Sequence, residues 1–215
     1  MEHLFKVNEI FKSIDGEGIR TGLPVTFVRL NGCNLKCSYC DTRYACEGKD
    51  YDYMTKYDIL EYCIFHGCKR ITLTGGEPLL DEHVNELISL LEIYDFEVNV
   101  ETNGSINIID CPASIITMDY KSPSSGMEEF MLLSNLAYLF KGDVLKFVVG
   151  SKEDLDRMKE IIEEYQPVCN VYVSPIFGMI EPAEIVEYVL ENKLNNVRVQ
   201  VQLHKIIWNP DMRGV

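Results

Sequence analysis

The sequence predicts an α/β fold, a twisted open sheet or a partial (β/α) barrel of about six parallel strands. Two observations favour this fold. Short runs rich in β-branched residues recur along the 215 residues, and longer amphipathic stretches separate them. Strands that alternate with helices pair in parallel through right-handed crossovers. No repeat, low-complexity tract or Pro/Gly/Ser-rich linker interrupts the pattern, so we expect one domain over residues 1–215.

The strand-like runs are short, apolar and rich in valine and isoleucine. In chain order they are PVTFVRL (24–30), RITLTG (70–75), FEVNVET (96–102), SIITMDY (114–120), VLKFVVG (144–150), NVYVSP (170–175) and NVRVQVQL (196–203). In folds of this class, functional side chains gather in the loops that follow the carboxyl ends of the strands. We therefore expect the active residues directly after these runs.

Helix patterns occupy intervals between the strands. They cover residues 55–66, 81–94, 151–165 and 181–192. Thr55 and Ser151 stand where a hydroxyl can cap the first turn, and Asp154 follows Ser151 by three residues. The helix over 81–94 has acidic residues in its first turn, and the helix over 181–192 has a proline there.

Charge and composition exclude several classes of protein. The formal net charge is −14 and the pI is about 4.7, and a strongly acidic surface repels phosphate backbones, which disfavours a nucleic-acid partner. The N-terminal segment carries charges where a signal peptide needs an apolar core, and no apolar run is long enough for a membrane span. We expect a cytoplasmic protein with a small-molecule substrate or a protein partner. Because that compartment is reducing, the eight cysteines do not indicate a disulfide framework.

Cys33, Cys37 and Cys40 form the motif Cys-x3-Cys-x2-Cys directly after the first predicted strand. The same spacing would place all three on one face of a helix, as buried small hydrophobic residues. Glycine and asparagine at the start of the segment disfavour that helix. Structural zinc takes four ligands, and Cys46 is the one nearby candidate for the fourth. Three thiolates instead suit a [4Fe-4S] cluster whose fourth iron stays open for a small molecule.

This motif, with Tyr39 just before the last cysteine, resembles that of the radical S-adenosylmethionine (SAM) superfamily. TGGEP (74–78) stands where the superfamily has its glycine-rich methionine-binding motif, and ETNG (101–104) stands where members bind the ribose of SAM. The resemblance implies that the open iron chelates the methionine moiety and that the reduced cluster releases a 5′-deoxyadenosyl radical. Glycine lets the backbone approach a ligand closely, which suits Gly75 and Gly76 to that motif.

Two families of the superfamily share the opening S-x-x-G-x-G-x-R, present here in SIDGEGIR (13–20). Glycyl-radical-enzyme activases typically continue the last cysteine with His-Asn-Pro, whereas this sequence has CDTRYA (40–45). DGEGIRTGLPVTFVRLNGCNLKC, CDTRYA and the C-terminal QLHKIIWNPDMRGV together resemble the 7-carboxy-7-deazaguanine synthase family, over nearly the whole chain.

That resemblance implies ring contraction of 6-carboxy-5,6,7,8-tetrahydropterin to 7-carboxy-7-deazaguanine, with release of ammonia, on the path to queuosine and related 7-deazapurines. The radical would abstract the hydrogen at C6 of the pterin. The substrate radical would rearrange and take the hydrogen back, so that SAM is regenerated.

The resemblance also implies the roles of individual residues. The cluster ligands are Cys33, Cys37 and Cys40, and the SAM contacts are Tyr39, Cys40, Asp41, Gly75, Gly76, Glu77, Glu101, Asp119, Tyr120 and Lys121. The substrate contacts are Ile14, Asp15, Gly16, Arg29, Thr74 and His204. Arg29 matches the residue that binds the pterin carboxylate, for which a bidentate pair is the expected geometry. Thr42 matches the Mg²⁺ ligand of the family, and its hydroxyl is a hard oxygen donor of the kind that Mg²⁺ prefers. The alternative role for Thr42 is a turn or a helix cap.

Two alternative functions remain open: an activase that acts on a protein glycine, and a structural zinc protein. The resemblance further implies a homodimer, and we expect a one-electron donor such as flavodoxin or ferredoxin. The remaining thiols are expected to be buried or incidental; they are Cys46, Cys63, Cys68, Cys111 and Cys169. Cys63 and Cys68, with His66, look like a second metal site, but they overlap a predicted helix.

Overall fold

The computed structural model describes residues 2–210 and 212–215, and within them nine strands form one sheet. The strands are β1 (Phe5–Ile14), β2 (Pro24–Leu30), β3 (Asp52–Met54), β4 (Arg70–Gly75), β5 (Glu97–Thr102), β6 (Ile115–Tyr120), β7 (Val144–Val149), β8 (Asn170–Pro175) and β9 (Val197–Val199). Their order across the sheet is β3-β1-β2-β4-β5-β6-β7-β8-β9. From β2 to β9 every neighbouring pair is parallel, whereas β1 is antiparallel to both β2 and β3. The predicted α/β class is confirmed.

Six α-helices lie in the described residues. They are α1 (Arg43–Glu47), α2 (Lys56–His66), α3 (Val84–Ile93), α4 (Lys152–Tyr165), α5 (Pro182–Glu191) and α6 (Leu203–Ile207). The predicted caps are confirmed: Thr55 and Asp58 form a capping box on α2, and the Ser151 hydroxyl accepts from the backbone N–H of Asp154 on α4. No helix among the described residues is long and apolar enough to cross a membrane.

The two faces of the sheet differ in polarity because successive side chains of a strand point to opposite faces. One face carries the apolar residues, and α2 and α3 cover it at β1, β2, β4 and β5, while α4 and α5 cover it at β6, β7 and β8. Polar residues alternate with them on the other face, and several are buried: Thr72, Thr74, Asn99, Thr117, Lys146 and Ser174. Buried polar side chains need hydrogen-bond partners, so this second face is the one that suits a polar ligand.

Three features differ from the sequence expectation. β1 was not anticipated, because Lys6, Glu9 and Lys12 interrupt its apolar pattern. The strand expected over 196–203 ends at Val199, because the chain is drawn away to the N-terminal region, where Leu203 N–H donates to Gly16 O at 3.1 Å. The connections from β5 to β6 and from β6 to β7 contain no α-helix, and the second of them contains three 3₁₀ turns.

Candidate active site

A cavity of about 530 Å³ opens on the polar face, at the carboxyl ends of the parallel strands. Its wall includes most of the residues that the sequence singled out: Ile14, Gly16, Arg29, Cys33, Cys37, Tyr39, Cys40, Asp41, Thr42, Thr74, Gly75, Gly76, Glu101, Asp119, Lys121 and His204. Asp15, Glu77 and Tyr120 are not part of this wall, and their side chains are held elsewhere. The fold therefore brings segments from across the chain to one place, as the strand-end rule predicts.

The cysteine motif lies in an irregular loop between β2 and α1, so the three thiols do not form a helix face. The loop is tied down at its start, where Gly32 N–H donates to Ala45 O at 2.7 Å and Gly32 O accepts from Glu77 N–H at 2.8 Å. No three His, Cys, Asp or Glu side chains among residues 2–210 and 212–215 converge on one metal ion. A cubane cluster does not require such convergence, because each thiolate binds a different iron.

Cys46 is a residue of this site that sequence reasoning set aside. Its Sγ lies 3.8 Å from the Sγ of Cys40, and it lines the cavity from α1. Hydrogen bonding from Cys46 lowers the pKa of Cys33 and Cys40 to about 6, and the pKa of Cys46 itself is raised. Two of the three motif cysteines are thereby favoured as thiolates, the form that binds metal. The short helix that carries Cys46 had no sequence signal.

The glycine motif packs directly against the cysteine loop. A Cβ on Gly76 would lie 2.2 Å from Gly32 O and 2.8 Å from the Cβ of Cys33. Gly75 has φ of +151°, and a Cβ there would lie 2.2 Å from Leu30 O. Glycine is therefore required at both positions by the protein's own packing, in addition to any approach to a ligand.

Glu77 links the ends of β4 and β5. It is 2% exposed, and it accepts from the Thr102 hydroxyl at 3.0 Å, from Asn103 N–H at 2.6 Å and from Leu79 N–H at 3.0 Å. Burial raises its pKa to about 7 despite these hydrogen bonds. Its side chain therefore holds the two strand-end motifs together and is directed away from the cavity.

The residues at the end of β1 and in the turn after it do not all face the cavity. Ile14 and Gly16 line the cavity, but Asp15 is 3% exposed and faces Arg20 and Thr72 beneath the turn. Burial raises the pKa of Asp15 to about 6, more than the Arg20 charge lowers it. A contact between Asp15 and a ligand would therefore have to use its backbone.

Four charged side chains in the cavity wall form a network of buried ion pairs. Lys146 Nζ lies 3.2 Å from Glu17 and 3.6 Å from Asp119, and Lys121 Nζ lies 3.1 Å from Asp119. Burial raises the pKa of Glu17, but Lys146 and a hydrogen bond from Ser174 outweigh it and bring the value to about 2. Sequence reasoning missed Glu17 and Lys146, although a lysine inside the apolar strand VLKFVV was an available signal.

His204 covers the turn from the C-terminal side. The atom Nδ1 of His204 lies 2.2 Å from where a Cβ on Gly16 would stand, so only glycine leaves room for the ring. Burial lowers the pKa of His204, which favours the neutral ring. Lys205 Nζ, one residue on, lies 3.1 Å from Asp41 Oδ2 and ties α6 to the cysteine loop. Tyr120, in contrast, is 1% exposed and packs in the core with its hydroxyl on Glu128.

Arg29 and Thr42 each present polar atoms to the cavity. Arg29 donates through Nε to Glu9 Oε1 at 2.7 Å, and its side chain is 13% exposed. Thr42 occupies the N-cap position of α1, but its hydroxyl makes no capping hydrogen bond. The Thr42 Oγ1 lies 3.7 Å from the Cys40 Sγ instead. The helix-cap role considered for Thr42 is therefore not what its side chain does.

The residues present fit an iron–sulfur cluster with an organic cofactor beside it. Three thiols share the cavity wall with the polar residues of four strand ends. Two buried polar atoms at the same wall have no hydrogen-bond partner among the described residues, namely the Tyr39 hydroxyl and the Asp119 Oδ1. Buried polar groups are nearly always satisfied, so these two atoms indicate a ligand that completes them.

Comparison with known proteins gives consistent results. The model of the radical SAM superfamily matches residues 27–191. The 7-carboxy-7-deazaguanine synthase of Clostridium acetobutylicum is 49% identical over 98% of this chain and 99% of its own length. The enzyme of the same name from Methanospirillum hungatei is 40% identical over 95% of this chain and 86% of its own. The crystal structure of QueE from Escherichia coli has the same fold, with a TM-score of 0.77 and 24% identity over 94% of this chain and 95% of that one.

Proposed function

The chain belongs to the radical SAM superfamily and, within it, to the 7-carboxy-7-deazaguanine synthase family, and on that premise we propose the reaction of its cavity. The reaction is ring contraction of 6-carboxy-5,6,7,8-tetrahydropterin to 7-carboxy-7-deazaguanine with release of ammonia. One observation carries the proposal: the three motif cysteines and Arg29 line the same cavity. One substrate in this cavity would therefore lie near the source of the radical, and its carboxylate would bind Arg29.

Cys33, Cys37 and Cys40 would hold a [4Fe-4S] cluster, and SAM would bind beside it. When bound, these groups supply a 5′-deoxyadenosyl radical. Glu101, which lines the cavity, would accept hydrogen bonds from the ribose hydroxyls. Tyr39 would donate its unpaired hydroxyl proton to the same ligand.

Arg29 would bind the carboxylate of the pterin with the guanidinium nitrogens that Glu9 does not use. Ile14, Gly16 and His204 line the same cavity and would contact the pterin ring. The neutral ring of His204 can donate or accept one hydrogen bond there without a charge. Together these contacts would fix the substrate and exclude water, which is the main demand of radical chemistry on a protein.

Thr42 would be a ligand of Mg²⁺. Its hydroxyl makes no capping hydrogen bond and lies at the cavity wall between the cysteine loop and α1. Mg²⁺ prefers hard oxygen donors and keeps several waters. The ion would neutralise substrate oxygens that Arg29 does not reach.

A one-electron donor such as flavodoxin or ferredoxin would reduce the cluster, and two chains would form a homodimer. An exposed apolar surface on α2 supports the dimer, where Tyr57, Ile64 and Phe65 are 51%, 54% and 83% exposed. Sedimentation of the wild-type chain and of Phe65→Lys tests the dimer. A wild-type chain that sediments as a monomer at every concentration would refute it.

The reaction is tested by anaerobic incubation of the reconstituted protein with reductant, Mg²⁺, SAM and 6-carboxy-5,6,7,8-tetrahydropterin. We expect 7-carboxy-7-deazaguanine and ammonia from the wild type, and neither from Cys33→Ala, which lacks one expected cluster ligand. Formation of 5′-deoxyadenosine without the deazaguanine would mean that the substrate is wrong. Stoichiometric zinc without sulfide in the reconstituted protein would instead refute the cluster.

A further inference from the structure

The Glu9 carboxylate joins Arg29 to Tyr44, two residues that line the cavity. Arg29 Nε donates to Glu9 Oε1 at 2.7 Å, and the Tyr44 hydroxyl donates to the same oxygen at 2.8 Å. The Glu9 side chain is 22% exposed, so the three groups meet in a largely dry place. Tyr44 lies within the CDTRYA stretch (40–45) and Glu9 lies outside the recognised motifs, and the sequence predicted no role for either residue.

An irregularity of β1 places Glu9 on the polar face of the sheet, opposite Arg29. Val7 pairs with Leu30 and Glu9 with Arg29, so one extra residue is inserted in β1 at this point. Val7 is buried against the helices, and regular alternation would turn Glu9 to that same apolar face. The bulge reverses the alternation, and Glu9 then shares the polar face with Arg29. Bulges often re-aim a side chain beside an active site.

Glu9 uses one edge of the Arg29 guanidinium and leaves the other free. Within the described residues, the side-chain hydrogen bond of Arg29 is the one from Nε, so both terminal nitrogens remain for a ligand. A guanidinium offers five N–H donors in a fixed plane, and a carboxylate binds two of them side by side. Holding Nε therefore fixes the plane and the direction in which the other donors point.

The ring of Tyr44 is itself held in place from the C-terminal segment. The guanidinium carbon of Arg213 lies 3.7 Å from the centroid of the Tyr44 ring, and both residues line the cavity. Arg213 adds another positive charge to the cavity wall, while the negative charges of Glu9 and Glu101 act on Arg29.

We propose that Glu9 and Tyr44 are positioning residues, which hold the Arg29 guanidinium in the orientation that accepts the carboxylate of the substrate. The inference rests on the proposed function, because it takes a carboxylated pterin as the ligand of Arg29. It goes beyond that function by assigning selectivity for the carboxylate to Glu9, which accepts from Arg29, and to Tyr44, which donates to Glu9.

The test measures binding of two probes to the reconstituted protein, by titration of their fluorescence. The probes are 6-carboxypterin and pterin without the carboxylate. In the wild type we expect 6-carboxypterin to bind more tightly. In Glu9→Gln and Tyr44→Phe, binding of 6-carboxypterin should weaken by about tenfold, as for loss of an oriented charged hydrogen bond, while binding of pterin stays unchanged.

Matched controls use residues away from the cavity. Glu82→Gln and Tyr53→Phe change exposed side chains, and both should keep the wild-type ratio of the two affinities. Because the ratio compares two probes on the same sample, a loss of folded protein does not alter it. If Glu9→Gln does not fold, Tyr44→Phe alone tests the proposal, because that substitution removes only the hydroxyl oxygen and keeps the ring.

The results distinguish failure of the positioning role from failure of the proposed substrate. If wild type and variants all prefer 6-carboxypterin equally, the positioning role is refuted and the proposed function stands. If the wild type itself shows no preference, Arg29 does not bind a carboxylate, and the proposed substrate is refuted. Equal weakening of both probes in the variants would also refute the positioning role, because it would indicate a general change of the cavity.

Discussion

Replacing Arg20 by methionine should destabilise the protein strongly, although Arg20 does not line the cavity. Its side chain is 5% exposed and lies beneath the turn after β1. It donates to Asp15 Oδ2 at 2.7 Å, to the Thr72 hydroxyl at 2.6 Å and to Ile71 O at 3.1 Å. Methionine fills similar space but supplies none of these hydrogen bonds, so Asp15 would be left as an unpaired buried carboxylate.

The size of the effect follows from the burial of both partners. Removing one partner of a buried ion pair costs about 3–5 kcal/mol. For a chain of this length, each kcal/mol lowers the melting temperature by about 2–4 °C, which gives a total of roughly 6–20 °C. Burial already raises the pKa of Asp15 to about 6. The variant can therefore neutralise Asp15 by protonation, and its stability should recover in part as the pH falls from 7 to 5. Calorimetry of the wild type and the variant at both pH values measures this.

Arg70→Met is the matched control. Arg70 Nε lies 3.6 Å from Glu97, and its side chain is 35% exposed, so this pair should contribute no more than about 1 kcal/mol. A second control adds Asp15→Asn to Arg20→Met, which removes the unpaired charge and should restore part of the loss. The reasoning is refuted if Arg20→Met costs no more than Arg70→Met.

Three further predictions concern the site. Thr42→Ala should remove most of the Mg²⁺ dependence of the reaction, measured as rate against Mg²⁺ concentration; an unchanged curve would mean that Thr42 is not a ligand. Cys46→Ala removes a thiol 3.8 Å from the Cys40 sulfur. Because hydrogen bonds to sulfur raise a cluster's reduction potential, EPR-monitored titration should give a lower potential, and an equal or higher one would contradict this role. Glu77 has a pKa raised to about 7 by burial, so its contribution to stability is fully present below about 4.5 and is lost as the pH rises through 7. Urea unfolding of Glu77→Gln should show a flatter pH dependence over that range, and a slope equal to the wild type's would count against it.

Elements with a strong local pattern were predictable from sequence. The bounds expected for the strands at 24–30, 70–75 and 170–175 are those of β2, β4 and β8. The Thr55 and Ser151 caps were predictable for the same reason, since each depends on a residue three positions away. Local periodicity and capping chemistry are short-range properties, and a single sequence displays them directly.

Features that depend on distant partners were not predictable. Glu9 looked like an interruption of a strand pattern, because its role needs both a bulge and an arginine on another strand. Glu17 has partners 129 and 157 residues away, Lys146 and Ser174. Asp15 was expected at the substrate, but a buried carboxylate needs a partner, and the nearest cation is Arg20 underneath. The sequence places these residues in order, and only the fold decides which way their side chains turn.

The outermost strands of the sheet, β3 and β9, are each three residues long. Long open strand edges let neighbouring molecules add to a sheet and aggregate, and short edges are a common protection against this. Here β2, β4, β5, β6, β7 and β8, which are six or seven residues long, all lie inside the sheet with a partner strand on each side. β1 differs, because β3 pairs with it only at Phe5, Lys6 and Val7, so its outer edge over residues 8–14 has no strand partner among the described residues. Another chain that added to this sheet would therefore find its longest open edge on β1 rather than on the parallel strands.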